Sequence, residues 1–250
     1  MFSTAEIEQF NRDGYVVARP LALSADAAAI KAIAQRDLAA RTAPVEFEAD
    51  TKYPGAPRSL DAPGGRTVRR LLQACARDPA IMRWATQPAL AARLRQLLGP
   101  AVELSQAHHN CVMTKNPSFS SITNWHQDIR YWAFERPELV SVWLALGREY
   151  SENGCLSVLP GSHKLEFAAE QLDAALFLRP DVEINKPLIR AQRRVELAAG
   201  DVLFFHCRLL HAAGNNQTAD TKFSLVFTYH AADNRPHAGT RSVSLPEISL

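Results

Sequence analysis

The spacing of apolar positions along the chain changes near residue 99. Before it, apolar residues recur mainly at helical intervals, and after it they come in short, strand-like runs. Ser3 and Glu6 have capping-box spacing and open a short helix that closes near Asp13-Gly14. "YVVARPL" then reads as a strand. Ser24 is placed to cap an Ala-rich helix over roughly 25–40. Residues 42–66, with "YPGAPRS" and "APGG", are rich in Pro and Gly and read as a long loop of the kind that serves as a functional lid. Helical spacing returns over 67–98, interrupted at Pro79 and Pro88 and stopped by Gly99-Pro100.

Strand patterns follow in "VELSQAHHNCVMTK", "NWHQDIRYW", "LVSVWLALG", "CLSVLPG", "VLFFH" and "FSLVFTYH", separated by turn signals. Helices first and strands later predict an α+β domain, with helices covering one face of a β-sandwich or barrel. In the last run Phe223, Leu225, Phe227 and Tyr229 alternate with Ser224, Val226, Thr228 and His230. The aromatic face belongs under the helices. The other face, which includes Lys222, then points into the barrel, and a polar barrel interior implies a ligand site.

Composition narrows the function classes. The chain has 250 residues, 47% hydrophobic and 22% charged, an ordinary globular make-up, and its net charge of +2 gives no electrostatic case for nucleic acid or a membrane surface. No apolar run approaches a membrane span, and "MFSTAEIEQF" lacks a signal-peptide core, so a cytoplasmic protein is expected. Cys75, Cys111, Cys155 and Cys207 are far apart and form no Cys-x-x-Cys pair, which argues for reduced, buried thiols.

Candidate chemistry centres on "NWHQDIRY". On a continuous strand His126 and Asp128 would share a face, and a buried carboxylate needs compensation. Asp128 could simply orient His126. A Ser-His-Asp or Cys-His hydrolase is disfavoured, because no Gly-x-Ser-x-Gly elbow is present. The third reading is a metal site: His-x-Asp plus one distant His makes a two-His, one-carboxylate facial triad with open positions for co-substrate and O₂. His211, where "GDVLFFHCRLLHAAGNN" reaches its loop, and His206, five residues earlier, compete for the distal place; spacing does not separate them.

Taken together, "FNRDGYVVARPL", "WHQD", "NGCLSVLPGSHK", "GDVLFFHCRLLHAAGNN" and "YHAADNRP" resemble, in order, the phytanoyl-CoA dioxygenase family of iron(II)- and 2-oxoglutarate-dependent oxygenases. The resemblance implies one domain over 1–250: a mainly helical part, 1–99, containing the 42–66 loop, and a double-stranded β-helix (jelly-roll, cupin-like) core over 100–250. It assigns the metal to His126, Asp128 and His211, because the family's H-x-x-G-x-N matches His211, Gly214 and Asn216. It implies Fe(II), 2-oxoglutarate and O₂, hydroxylation of a small-molecule substrate, and release of succinate and CO₂. Asp128 argues against a halogenating branch, where a small residue replaces the carboxylate.

The co-substrate end departs from the family pattern. Lys222 stands where the family usually has Arg, and a lysine offers no bidentate fork to a carboxylate. Ala213 replaces a common hydroxyl residue. Trp143 matches a pocket tryptophan, and Cys111 and Lys115 align with the strand that closes the pocket. Of the adjacent pair His108 and His109, strand parity with Cys111 turns His109 toward the cavity as a substrate contact, and Gln127 is counted with it. Arg58, Arg66, Arg69 and Arg70 near the loop read as a solvated basic surface. Two other classes stay open: a non-catalytic jelly-roll protein that binds a metal or ligand, and a zinc or manganese cupin enzyme.

Overall fold

The computed structural model describes residues 1–51, 53 and 55–250; Lys52 and Pro54, in the loop expected over 42–66, lie outside the described residues. Helix α1 (Thr4–Asp13) has the expected reciprocal cap. Ser3 Oγ accepts from the Glu6 amide, the Glu6 carboxylate accepts from the Ser3 amide, and Gly14 closes the helix at φ 83°, where a Cβ would be strained. Strand β1 (Tyr15–Ala18) follows. Helix α2 (Ser24–Ala40) begins at Ser24 itself, so Leu23, which makes no side-chain cap, holds the place expected for Ser24.

The 42–66 segment is not wholly a loop: β2 (Val45–Phe47) lies within it, and β3 (Val68–Leu72) starts just after. Helices α3 (Ala74–Arg77), α4 (Pro79–Ala85) and α5 (Pro88–Leu98) come next. Both prolines start helices, where the missing amide costs nothing. The core strands are β4 (Val102–Lys115), β5 (Thr123–His126), β6 (Leu139–Ala145) and β7 (Leu156–Val158). After a short helix α6 (Lys186–Arg190) come β8 (Arg193–Val195), β9 (Val202–His206), β10 (His211–Ala213), β11 (Lys222–Ala231) and β12 (Ile248–Ser249).

Two antiparallel sheets form the jelly roll. The larger has the order β1-β9-β6-β11-β4-β3-β2, with β12 also paired to β4; the smaller has the order β5-β10-β7-β8. The larger sheet thus recruits three strands from residues 1–99, which are less purely helical than their pattern implies. Phe223, Leu225, Phe227 and Tyr229 pack in one core cluster with Ile30, Trp84, Leu90 and Leu94 from the helices. Val226, from the opposite face of β11, joins Trp143, Leu156, Val158, Leu203, Phe205 and Ala213 in a second cluster drawn from both sheets. The alternation in β11 thus sorts its side chains between helix layer and barrel interior, as expected.

One irregularity matters for the site. On β4 the pairing with β11 jumps, so that Phe227 faces Asn110 while Thr228 faces Ser105. Residues 106–109 bulge out of register, and strand parity no longer assigns His108 and His109 to opposite faces.

Candidate active site

A cavity of about 150 Å³ opens between the sheets, and both His108 and His109 line it, together with His126, Asp128, Trp143 and His211. His126 ends β5, and His211 begins β10 directly across from it in the smaller sheet. "VLFFHCRLLHAA" is therefore not one strand. Its first half, β9, belongs to the larger sheet, and the chain crosses over at residues 207–210. That crossing separates the two histidines that spacing could not. His206 stays with the larger sheet, its ring beside those of Phe10 and His163, while His211 enters the cavity.

Asp128 does not continue β5. It opens a tight turn over Asp128–Tyr131, and the Ile129 amide donates to the Cys207 carbonyl, tying this turn to the crossover. The turn, rather than strand alternation, brings the carboxylate to the histidines. Donor atoms of His126, Asp128 and His211 all fall within 4.8 Å of one another, with Asp128 Oδ1 at 3.9 Å from His126 Nε2 and 3.6 Å from His211 Nε2. Bonds of about 2 Å to a common ion put neighbouring donors roughly 3–3.5 Å apart, so only a slight closure is needed.

The protonation pattern suits a metal. His126 Nδ1 lies 2.8 Å from the Asn124 carbonyl oxygen and His211 Nδ1 lies 3.0 Å from that of Leu209. A carbonyl only accepts, so each Nδ1 carries the hydrogen and each Nε2 faces Asp128 as the nitrogen available to a metal. Burial, aided by His211, pushes His126 down to about 3 and keeps it neutral. Asp128 is buried, and its other oxygen accepts from Ser141 Oγ–H at 2.8 Å. His109 Nε2 sits 3.2 Å from Asp128 Oδ1. Burial disfavours charge on His109, but the Asp128 carboxylate outweighs it and draws the ring up to about 9. A bound dication would reverse that balance. His109 thus contacts the carboxylate as well as lining the cavity. Neither it nor Ser141 is marked as a partner of Asp128 by sequence spacing.

The signature segments hold this geometry. β7 pairs with β10, placing Val158 opposite His211. Ser162, in "PGSHK", accepts from the Leu210 amide just before His211. A Cβ on Gly154 would come within 2.6 Å of the Gly214 carbonyl oxygen and 2.9 Å of Lys115 Cδ, so the Asn-Gly position permits a close approach of the turn after His211. Asn216 is buried and donates to the Lys115 and Asp220 carbonyls.

The co-substrate candidates divide. Lys222, Trp143 and Lys115 all reach the cavity wall. Cys111 is buried beside His109 and pairs in register with Val226, but it is not part of the cavity wall. Gln127 is likewise absent from the wall, since its amide donates to the Arg208 carbonyl. The partner of Lys222 is the largest departure from expectation. Its Nζ lies 2.9 Å from Glu149 Oε2, and both side chains are almost wholly buried. Glu149 Oε1 also accepts from Trp143 Nε1 at 3.0 Å and Ser224 Oγ at 2.6 Å. The anion that a buried ammonium requires is thus an internal carboxylate. Nothing in the spacing around Glu149 signals this, because the two residues meet only across the β6–β11 side of the barrel.

Lys115 donates to the Ser121 carbonyl, and burial together with the charges of Lys222 and Arg69 lowers it to about 7. Arg69 and Arg70, expected on a solvated surface, stand in the cavity wall and engage Glu46. From the loop, Tyr53 meets Tyr131, hydroxyl to hydroxyl, at 3.0 Å, and the Arg69 guanidinium lies over the Tyr53 ring. All four cysteines are free and buried, as expected.

The profile of the family described as phytanoyl-CoA dioxygenase (PhyH) matches residues 10–224. An ectoine dioxygenase from Sphingopyxis alaskensis is 28% identical, the match covering 93% of this chain and 77% of that protein. A probable phytanoyl-CoA dioxygenase from Caenorhabditis elegans is 28% identical over 59% of this chain, and the human peroxisomal phytanoyl-CoA dioxygenase 27% over 70%. The chain spans about half the length of those two relatives, 49% and 53%. Among solved structures, the non-heme alpha-ketoglutarate-dependent epimerase SnoN of nogalamycin biosynthesis superposes with a TM-score of 0.71 at 25% identity, covering 91% of this chain and 82% of that one. EctD from S. alaskensis, solved with 2-oxoglutarate and 5-hydroxyectoine, shares the fold at a TM-score of 0.75 and 23% identity, covering 94% and 78%. No helix among the described residues is long and apolar enough to cross a membrane.

Proposed function

Because the chain belongs to the phytanoyl-CoA dioxygenase family, we propose that it is a ferrous-iron- and 2-oxoglutarate-dependent oxygenase that hydroxylates a small molecule and releases succinate and CO₂. The observation that carries this reading is the convergence of two imidazole Nε2 atoms and one buried carboxylate in the cavity wall. That donor set suits a ferrous ion with open coordination positions.

His126, His211 and Asp128 would hold the metal. Bound there, iron with 2-oxoglutarate supplies the oxygen activation needed to attack a C–H bond. The remaining work falls to the chain's own groups. The Asn124 and Leu209 carbonyls fix both rings through Nδ1, and Ser141 holds the outer oxygen of Asp128. His109 approaches the inner oxygen from the substrate side. Lys222 and Lys115 supply the cationic end of the cavity for the distal carboxylate of 2-oxoglutarate, with Trp143 as its wall. Substrate would enter past Tyr131 and Arg241, which are exposed and line the cavity. The cavity of about 150 Å³ suits a small molecule or the reacting end of a larger one. We also propose a cytoplasmic location, in keeping with the absence of any long apolar run.

One observation favours a second reading, a jelly-roll protein that binds a metal or ligand without turnover. Glu149 already occupies the partner position of Lys222 that the co-substrate carboxylate would use. The test is conversion of 2-oxoglutarate to succinate by the iron-loaded protein under air, with and without pooled metabolites. Iron- and O₂-dependent succinate formation, increased by at least one pool, supports the oxygenase. Full iron occupancy with no succinate above the protein-free control favours the second reading.

A further inference from the structure

Three side chains outside the cavity wall meet where β11 ends, β4 begins and β12 joins it. His230 is the cross-strand partner of Glu103, and Glu247 immediately precedes β12, which pairs through Ile248 and Ser249 with Leu104 and Glu103. One potential ligand atom from each of Glu103, His230 and Glu247 lies within 4.8 Å of the other two. None of the three lines the cavity already described.

The decisive detail is the tautomer of His230. The residue is completely buried, and its Nδ1 lies 2.9 Å from the Ala231 carbonyl oxygen. Nδ1 therefore carries the hydrogen, and a neutral ring presents a bare lone pair at Nε2. That Nε2 faces Glu247 Oε1 at 2.7 Å, and neither atom has a hydrogen-bond partner. Two acceptors so close repel unless something positive lies between them. Glu103 adds a second carboxylate, which accepts from Ser249 Oγ at 3.4 Å and lies within hydrogen-bond reach of the Glu247 carboxyl. Among the described residues no lysine or arginine pairs with either glutamate, and the Phe134 ring lies tilted against His230 at 4.8 Å between centroids. The pattern repeats that of His126 and His211: a ring anchored through Nδ1 to a backbone carbonyl, with Nε2 aimed at a carboxylate oxygen.

We propose that Glu103, His230 and Glu247 form a second divalent-cation site, which pins the C-terminal segment to the large sheet. One imidazole nitrogen with two carboxylates suits Zn²⁺ or Mn²⁺. The two glutamates are partly exposed, so water can complete the coordination. A shared proton would also hold these atoms together, and burial plus the neighbouring Glu103 does push the Glu247 carboxyl up to about 8. The inference does not depend on the oxygenase reading.

The test is metal stoichiometry. Full-length protein stripped with a chelator is dialysed against Zn²⁺ and its bound metal measured. Wild type should hold two tightly bound zinc ions per chain, Asp128→Ala one, Glu247→Gln one, and the Asp128→Ala/Glu247→Gln double variant none that survives dialysis against zinc-free buffer. Because His230 is buried, Glu247→Gln and Glu103→Gln carry the test instead of a histidine replacement. In parallel, Zn²⁺ should raise the melting temperature of Asp128→Ala but not of the double variant. A single zinc in wild type that Asp128→Ala abolishes, or two zinc ions retained by both glutamine variants, would overturn the proposal and leave a shared proton as the account.

Discussion

Replacing Lys222 with Met should destabilise the fold far more than an ordinary surface change, and removing Glu149 as well should restore much of the loss. In wild type, Lys222 Nζ is, among the described residues, the one hydrogen-bond partner of Glu149 Oε2, at 2.9 Å, while Oε1 is served by Trp143 and Ser224. The Glu149 side chain is 1% exposed, and a thioether filling the lysine's volume offers its carboxylate no hydrogen bond. Leaving one charge of a buried pair uncompensated costs about 3–5 kcal/mol, a large share of a typical domain stability of about 5–15 kcal/mol. In Lys222→Met/Glu149→Gln the charge is gone. The Gln carbonyl oxygen can still accept from Trp143 and Ser224, and a thioether of similar length fills the lysine's volume. The double variant should therefore recover more than half of the single variant's loss, a coupling of at least ~2 kcal/mol. Urea unfolding of all four proteins, with slopes compared to confirm a common denatured state, measures this. Additive losses, with the double variant as unstable as the sum of the two singles, would show that the pair is not an isolated buried charge couple.

The other predictions concern ligands. Glu149→Gln frees the Lys222 ammonium, so the iron-loaded variant should bind 2-oxoglutarate at least about tenfold more tightly, ~1.4 kcal/mol; calorimetric titration would reveal an unchanged or weakened affinity if Lys222 does not meet the co-substrate. Asp128→Gly should abolish hydroxylation while the two histidines still hold metal weakly, and wild-type-like turnover would remove Asp128 from the site. Ser141→Ala strips the hydrogen bond from the outer oxygen of Asp128 and should weaken ferrous binding by about 10–100-fold; a competition titration with a chromogenic chelator checks it.

Much of this arrangement is legible in the sequence, for reasons that are mostly local. Capping at Ser3–Glu6, the stop at Gly99-Pro100 and the two-residue alternation of β11 are short-range signals, and each matches the fold. β3 is not legible, because "VRRLL" owes its strand state to pairing with β4 and β2 rather than to its own pattern. The same limit explains the site. His126, Asp128 and His211 lie in recognisable motifs, although a turn and a sheet crossover, not strand parity, bring them together. Glu149, Ser141 and the inward position of Arg69 depend on contacts between distant strands. The bulge at 106–109 defeats any parity argument about His108 and His109.

The central claim is that His126, Asp128 and His211 hold ferrous iron in a form that chelates 2-oxoglutarate. Anaerobic titration tests it most directly: Fe(II), then 2-oxoglutarate, is added while the visible charge-transfer absorption of the iron–2-oxoglutarate chelate is followed. Wild type and His206→Ala should bind one ferrous ion at this centre and develop the band, whereas His211→Ala should do neither. A band that survives in His211→Ala but disappears in His206→Ala, or iron-loaded wild type that shows no band at saturating 2-oxoglutarate, would contradict the account.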